Sequence, residues 1–444
     1  MSARLPFTLW WRLSVLWFLE WGITGTIMTY LPIYWEAIQL SKQEQGQLMA
    51  VTAIGLWVAP FIVGQVADRW MATEKYLCVS HFVGGVTLYG LAYAAELYEE
   101  THLNFQTLLA LCGIFAVAYF PTVPLACSLC FRHLPDPDAQ FGKVRVWGTV
   151  GWMLSGLALS VWLSHDQLLT WVGQRFLDLR DEAHEIREVF DWLPRPTQSD
   201  CFRMSALLSF ALSSFCVFLP HTPPAQTAHD KVAPLAVLSL FGNRTFALFM
   251  TTSFLLAVLI VPLYSLAVPN LLHEVLHVPG NWVPTVMLVG QISEFPALLL
   301  LSMCLRRLGL KTTFALGIAA WSLRYALFSL GGSDHGGSAP LVLTGLALHG
   351  VCHVFLVIVA QLYIDSQTRK DLRASTQSLL AFVTLGIGMP LGALLGGVLH
   401  EQFAKNSTTL FAIPAGMALA LLGVFWWTIR IPVAEAESGV STQA

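Results

Sequence analysis

The stretch Gly64-Gln65-Val66-Ala67-Asp68-Arg69-Trp70, with Glu74 and Lys75 close behind, is a charged turn set between two apolar runs, 46–67 and 76–95. Each run is about the twenty residues a helix needs to cross a hydrocarbon core of roughly 30 Å. The alternation continues in both directions. Before the turn lies 10–34; after it come 105–131, 146–164, 204–220, 245–272, 282–305, 312–330, 341–364, 375–399 and 407–429, all poor in formal charge. Together these runs predict an all-α membrane protein with twelve transmembrane helices.

Composition agrees. Of 444 residues, 55% are apolar and only 11% are charged, less than half the roughly 25% of an ordinary soluble domain. That excludes a disordered chain, a disulfide-stapled secreted domain and an ordinary cytosolic enzyme. A net charge of −3 is too small to suggest nucleic acid, and none is expected as a partner. The 16 Trp and 27 Phe suit a protein solvated by membrane lipid, where aromatics gather at the interfaces.

An even number of spans puts both termini on one side. Sixteen of the 24 Lys and Arg fall on the side of the termini, seven on the other, and Arg324 within a span. Positive charge collects on cytoplasmic loops, so a multi-pass protein of the cell (inner) membrane is expected, with both termini cytoplasmic. The first apolar run is too long for a cleavable signal and no small-residue cleavage site follows it. Cys127 and Cys130 lie inside a span and are read as packing residues; no disulfide is expected.

The Pro- and Thr-rich segment 221–244 separates six spans from six. The expected units are an N-terminal half (1–220), this cytoplasmic central loop, a C-terminal half (245–430) and a cytoplasmic tail (431–444). The turn Arg306-Arg307-Leu308-Gly309-Leu310-Lys311 follows the eighth span as the Asp68-Arg69 turn follows the second. This weak internal repeat implies two pseudo-symmetric six-helix halves, a common build among secondary transporters. On the outer side, Leu168, Val172, Phe176, Leu179, Ile186, Phe190 and Leu193 recur at helical spacing among charged residues, up to Pro194 and Pro196. They predict an amphipathic helix over about 165–195, lying at the membrane boundary or serving as a solvated spacer.

Ionisable residues inside spans are costly and are therefore candidates for function. Arg145, Thr149 and Trp152 share one helix face and suit a flat polar ligand, although Arg145 is close enough to the surface to serve as an anchor. Gln291 and Glu294 are one turn apart in the eighth span. A carboxylate at that depth is neutralised by a proton, which makes it a carrier, or by a partner such as Arg145 or Arg324. Glu20, one turn before Thr24, is a second proton site. His349 and His353 share a face and suit a polar cavity, a proton relay or interhelical hydrogen bonds. Metal binding is not expected, because zinc needs further ligands and none is apparent nearby. Arg324 is read as snorkelling to the outer surface. No Walker loop, Gly-x-Ser-x-Gly or His-Glu-x-x-His motif is present, so neither an enzyme nor a cofactor is expected.

The Gly64-x-x-x-Asp68-Arg69 signature resembles the conformational motif of the major facilitator superfamily. More narrowly, Arg145-Val-Trp-Gly-Thr149-Val-Gly-Trp152, Gln291-Ile-Ser-Glu294, Trp321-Ser-Leu-Arg324-Tyr-Ala-Leu-Phe328, Leu219-Pro220-His221-Thr-Pro223 and Arg373-Ala-Ser-Thr-Gln377 are similar to blocks of the nucleoside:proton symporter family. That resemblance implies the major facilitator fold and proton-coupled import of nucleosides by alternating access. It implies nucleoside contacts at Arg145, Thr149, Trp152, Gln291 and Glu294. His349 and His353 stand in the span-ten pattern, where Val354 replaces the family's carboxylate; near Pro262 and Ser265 the family has Gln and Asn. The expected partners are a nucleoside-like solute, protons and lipid, with the chain a monomer. The alternatives are a facilitator for another polar solute, such as an oligosaccharide or aromatic acid, and a membrane sensor of the same fold that binds without transporting.

Overall fold

The computed structural model describes residues 5–65, 71–101, 104–176, 194–223, 239–259, 261–332, 337–367 and 373–429. Among these every regular element is helical. Lipid offers no partner for backbone N–H and C=O groups, so a spanning segment must satisfy them internally.

The N-terminal half comprises six rods. They are Phe7–Gly25 continued by Leu31–Ala37, Lys42–Val51 continued by Ala53–Gln65, Thr73–Thr101, Phe105–Tyr119 continued by Thr122–His133, Pro137–Leu163, and Asp200–Phe215. Six more follow. Arg244–Leu259 runs into Val261–Asn270 and the π-turn Leu271–Val275; Val283–Gly331 forms two rods; Ala339–Ala347 leads through His349–His353 to Val359–Gln367; Arg373–Ala381 leads to Met389–Gln402; Ser407–Thr428 closes the set. The eighth and ninth spans part at Gly309, whose φ of 76° lies in the left-handed region open to glycine. Among the described residues nine stretches are long and apolar enough, unbroken, to cross a membrane. One of these holds both rods around Gly309, and the first two spans are broken into shorter pieces.

The breaks are differences from the sequence reading, which runs 10–34 as one helix. The Thr26 hydroxyl bonds back to the Ile23 carbonyl at 3.0 Å and also meets Ser205, which offers the backbone an alternative to the helical ladder. The second span starts cleanly. Ser41 and Glu44 form a reciprocal capping box, Ser41 N donating to Glu44 Oε2 at 2.9 Å and Glu44 N to Ser41 Oγ at 3.2 Å.

Small residues set the closest helix pairs, since lipid offers no hydrophobic drive between helices. Gly151 of span five lies against the Phe18 backbone of span one, with no room for a Cβ. Between the halves, spans two and eleven pack from Lys42, whose N–H donates to Glu401 Oε2 at 2.7 Å, down to Trp57, whose indole N–H donates to the Gly386 carbonyl at 2.5 Å. At the end marked by Lys42 two more bridges join the halves: Lys42 Nζ lies 3.6 Å from Glu274 Oε1, and Asn281 Nδ2 donates to Ser164 Oγ at 2.6 Å.

The amphipathic segment begins as a helix, His165–Phe176, with Trp171 exposed; 177–193 lie outside the described residues. Gly64 belongs to the last turn of Ala53–Gln65. Asp68 and Arg69, most of the central loop (224–238) and the tail (431–444) lie outside the described residues.

Candidate functional site

In the N-terminal half the site is built on spans one and five. Trp17 and Trp21 are one turn apart on span one, and the Arg145 guanidinium lies 4.8 and 4.4 Å from their ring centroids. Cation–π contacts of this kind are worth about 0.5–2 kcal/mol each, more as water is excluded. A Cβ at Gly148 would come 2.5 Å from that guanidinium, so the glycine one turn past Arg145 keeps the space it occupies. The indoles of Trp21 and Trp152 are tilted, with centroids 6.1 Å apart, and Thr149 is half-buried one turn before Trp152. Arg145 is thus half-buried against two indoles of span one.

The C-terminal half supplies the opposite wall from spans seven to ten. Glu294 Oε1 lies 3.3 Å from His349 Nε2, with both side chains largely buried. The Ser293 hydroxyl accepts the Gly350 N–H at 2.8 Å and donates to the Gly290 carbonyl at 2.6 Å. It therefore pins span ten on span eight beside Glu294. His349 stacks on Tyr264 of span seven at 5.4 Å and on His353 at 5.6 Å. Gln291 is half-buried a turn before Glu294.

Arg324 corrects the sequence reading. It does not reach the surface: its exposure is 0%. Its Nη1 donates to His349 Nδ1 at 3.0 Å, and its guanidinium lies 3.8 Å from the Tyr264 ring centroid and 5.0 Å from that of Trp321. Among the described residues no carboxylate pairs with it. Its place toward the outer end of the ninth span suggests snorkelling, but the side chain lies on the aromatic faces of Tyr264 and Trp321.

The two histidines also differ from expectation, because Glu294 brings a third possible metal ligand, the three donor atoms lying within 4.8 Å of one another. The hydrogen bonding opposes a metal there. Arg324 is always a donor, so His349 Nδ1 is an acceptor and the ring proton of neutral His349 sits on Nε2, the nitrogen facing Glu294. A metal-binding imidazole needs the reverse, a bare nitrogen on the ion and an N–H turned outward to an acceptor.

Glu20 sits elsewhere, within the N-terminal half and at 0% exposure. Its Oε1 accepts from Thr122 Oγ1 at 2.5 Å, its Oε2 lies 3.0 Å from His81 Nε2, and its carbonyl accepts from the Tyr119 hydroxyl at 2.6 Å. Thr24, one turn on, bonds instead to the Trp21 carbonyl at 3.2 Å. Residues unmarked in the sequence are therefore central here: Trp17, Trp21, His81, Tyr264 and Ser293. The two indoles carried a signal, flanking Glu20 at a spacing of four. An apolar groove of about 680 Å³ in the N-terminal half is bordered by Ile54, Val79, Val83 and Ile114, and its lining contains none of these groups.

Twelve helical rods in two halves among the described residues, with an aromatic-backed cation in one and a carboxylate in the other, define a multi-pass secondary transporter of the major facilitator fold. The chain belongs to the nucleoside H+ symporter family, whose model matches residues 7–176 and 197–433. It is 29% identical to YegT of Escherichia coli K12 over 88% of this chain and 84% of that one. It is 25% identical to the nucleoside permease NupG of Escherichia coli K12 over 97% and 98% of the two chains. The crystal structure of nucleoside transporter NupG superposes with a TM-score of 0.77 at 23% identity, covering 96% of this chain and all of that one. A crystal structure of D-xylose-proton symporter superposes at 0.66 and 12% identity, over 96% and 98%.

Proposed function

We propose that this protein carries nucleosides and protons together across the cell membrane, inward, by alternating access. The reading is carried by the Arg145 guanidinium backed by Trp17 and Trp21 in one half and the Glu294–His349 pair in the other, within a chain of the nucleoside H+ symporter family. Trp152 stacks on the base, and Arg145, Thr149, Gln291, Glu294 and His353 hydrogen-bond to the solute near the midplane, where sites of this class lie. Family membership supports the substrate class, and NupG is a nucleoside permease rather than an enzyme.

Glu294 is the coupling carboxylate in this reading. It is partly accessible from the gap, whereas Glu20 is sealed among Thr122, Tyr119 and His81 and serves to tie spans one, three and four together. The units are the halves 1–220 and 245–430 joined by 221–244, with Gly64, Asp68 and Arg69 at a conformational turn, termini in the cytoplasm, and a monomer solvated by lipid. Bridges at Lys42, Glu274, Glu401, Asn281 and Ser164 close the outer end in this conformation.

The test is uptake of labelled uridine and adenosine into proteoliposomes with and without an inward proton gradient. Gradient-stimulated uptake competed by unlabelled nucleosides is expected. Folded protein that shows no nucleoside uptake, or uptake indifferent to the gradient, overturns the proposal.

A further inference from the structure

Buried cations normally find carboxylates, and Arg324 has found an imidazole. The guanidinium is fixed on three sides. Tyr264 and Trp321 present ring faces to it, and its Nη1 donates to His349 Nδ1 at 3.0 Å. The hydroxyl of Tyr264 and the thiol of Cys352 are its other polar neighbours. Arginine does not surrender its proton in proteins, so this hydrogen bond runs one way, and it consumes the only lone pair on Nδ1. The far nitrogen of the same ring, Nε2, is 3.3 Å from Glu294 Oε1.

We infer that Arg324 and His349 are a positioning pair for Glu294: Arg324 locks His349 as the neutral Nε2–H tautomer and holds that N–H toward the carboxylate which takes the coupling proton. The inference rests on the proton-coupled reading of this gap. It assigns a division of labour within it. His349 cannot accept a proton while Arg324 holds Nδ1, because the imidazolium would put a second donor and a second positive charge against the guanidinium. The charged and titratable groups facing the pair are Tyr264 from span seven, Glu294 from span eight, and Cys352 and His353 from span ten. Only Glu294 among them is both acidic and beside Nε2. The proton that enters from water therefore resides on Glu294, and no proton passes through His349.

This separates positioning from proton carriage by a conservative change. A glutamine at 349 offers a carbonyl oxygen to Arg324 and an amide N–H to Glu294, the same acceptor and donor as the locked tautomer, with no titration of its own. His349→Gln should retain gradient-driven nucleoside accumulation and the wild-type pH profile, with uptake reduced by no more than about fivefold, the value of one imperfect hydrogen bond. His349→Leu should lose accumulation and flatten the profile. Arg324→Met frees Nδ1, so uptake should gain an added pH step near the ordinary histidine range, absent again in Arg324→Met/His349→Gln.

The reading independent of transport is nitrogen-15 spectroscopy of the full-length protein labelled at histidine. The resonances that vanish in His349→Gln should show a protonated Nε2 and a bare Nδ1 between about pH 5 and 8. A protonated Nδ1 or an imidazolium in that range overturns the inference, as does loss of coupling in His349→Gln equal to that in His349→Leu. If Arg324→Met does not fold, the glutamine variant and the spectra still decide. The locked tautomer in a protein that moves no nucleoside would leave the pair standing and remove the transport reading instead.

Discussion

Gly46 is the sharpest lever on the conformational cycle. It lies in span two where that span meets span eleven, and a Cβ added there would sit 2.5 Å from the Ala393 carbonyl oxygen and 3.1 Å from Gly397 Cα. Both obstacles are backbone, so the collision cannot be relieved by turning a side chain. Gly46→Ala therefore wedges the two halves apart at the end where Lys42 bridges to Glu274 and Glu401. Overpacking of this kind costs about 1–3 kcal/mol. The cost falls on the outer-closed state alone, because in the outer-open state the two surfaces no longer touch. The ratio of outer-open to outer-closed protein should rise by about 5- to 150-fold.

The readout is a cysteine placed at Ile33, which is 5% exposed and packs against Gly280 of the other half. Maleimide modification of Ile33→Cys, followed by mass spectrometry of the labelled peptide, should be slow alone and faster by a factor in that range with Gly46→Ala. Gly416→Ala is the control, since nothing lies within 4 Å of its added Cβ, and it should leave the rate unchanged. Unchanged labelling in folded Gly46→Ala protein would refute the argument, because the outer interface would then not be a contact that opens.

Glu294→Gln should abolish gradient-driven accumulation while leaving counterflow exchange, measured with labelled uridine in proteoliposomes; full accumulation by that variant removes the proton role. Arg145→Lys keeps the charge but loses the flat guanidinium between Trp17 and Trp21, and should raise KM by about 5- to 30-fold, a loss of about 1–2 kcal/mol, with Tm little changed. Glu20→Gln unbalances a fully buried set with His81 and Thr122; removing one partner of such a pair costs about 3–5 kcal/mol, so Tm should drop by several degrees while the pH dependence of uptake persists.

The fold was legible because lipid leaves so few choices. A run of twenty uncharged residues in a charge-poor chain has to be a helix, and Arg306-Arg307 stand just before Gly309, where spans eight and nine part. The breaks inside spans were not legible. Thr26 and Ser205 meet across 179 residues, and nothing local to residues 26–30 announces that partner. The site divides the same way. Arg145 and Glu294 stand out as charges in apolar runs, and one-helix spacing correctly groups Arg145 with Trp152 and His349 with His353. Spacing says which residues share a face, but not what the face meets. Arg324 was misread for that reason: the aromatic faces that draw it inward come from Tyr264, on another helix, as well as from Trp321. His81 was overlooked for the same reason, since its carboxylate lies on span one.

The division of the site between the halves bears on how binding and rocking are linked. Arg145 is held to spans one and five by two indoles, and Glu294 is held to spans eight and ten through Ser293, Gly350 and His349. Each charge packs against helices of its own half, so movement of the halves changes the distance between them. In the proposed coupling, an ionised Glu294 attracts the opposite charge of Arg145 in the other half and opposes their separation. A protonated Glu294 does not. A nucleoside seated between the walls replaces part of that attraction with neutral hydrogen bonds, so solute and proton favour the same rearrangement. Coupling then needs no moving relay inside either half. It needs only that the carboxylate and the guanidinium belong to different rigid bodies, as the packing of these two residues provides.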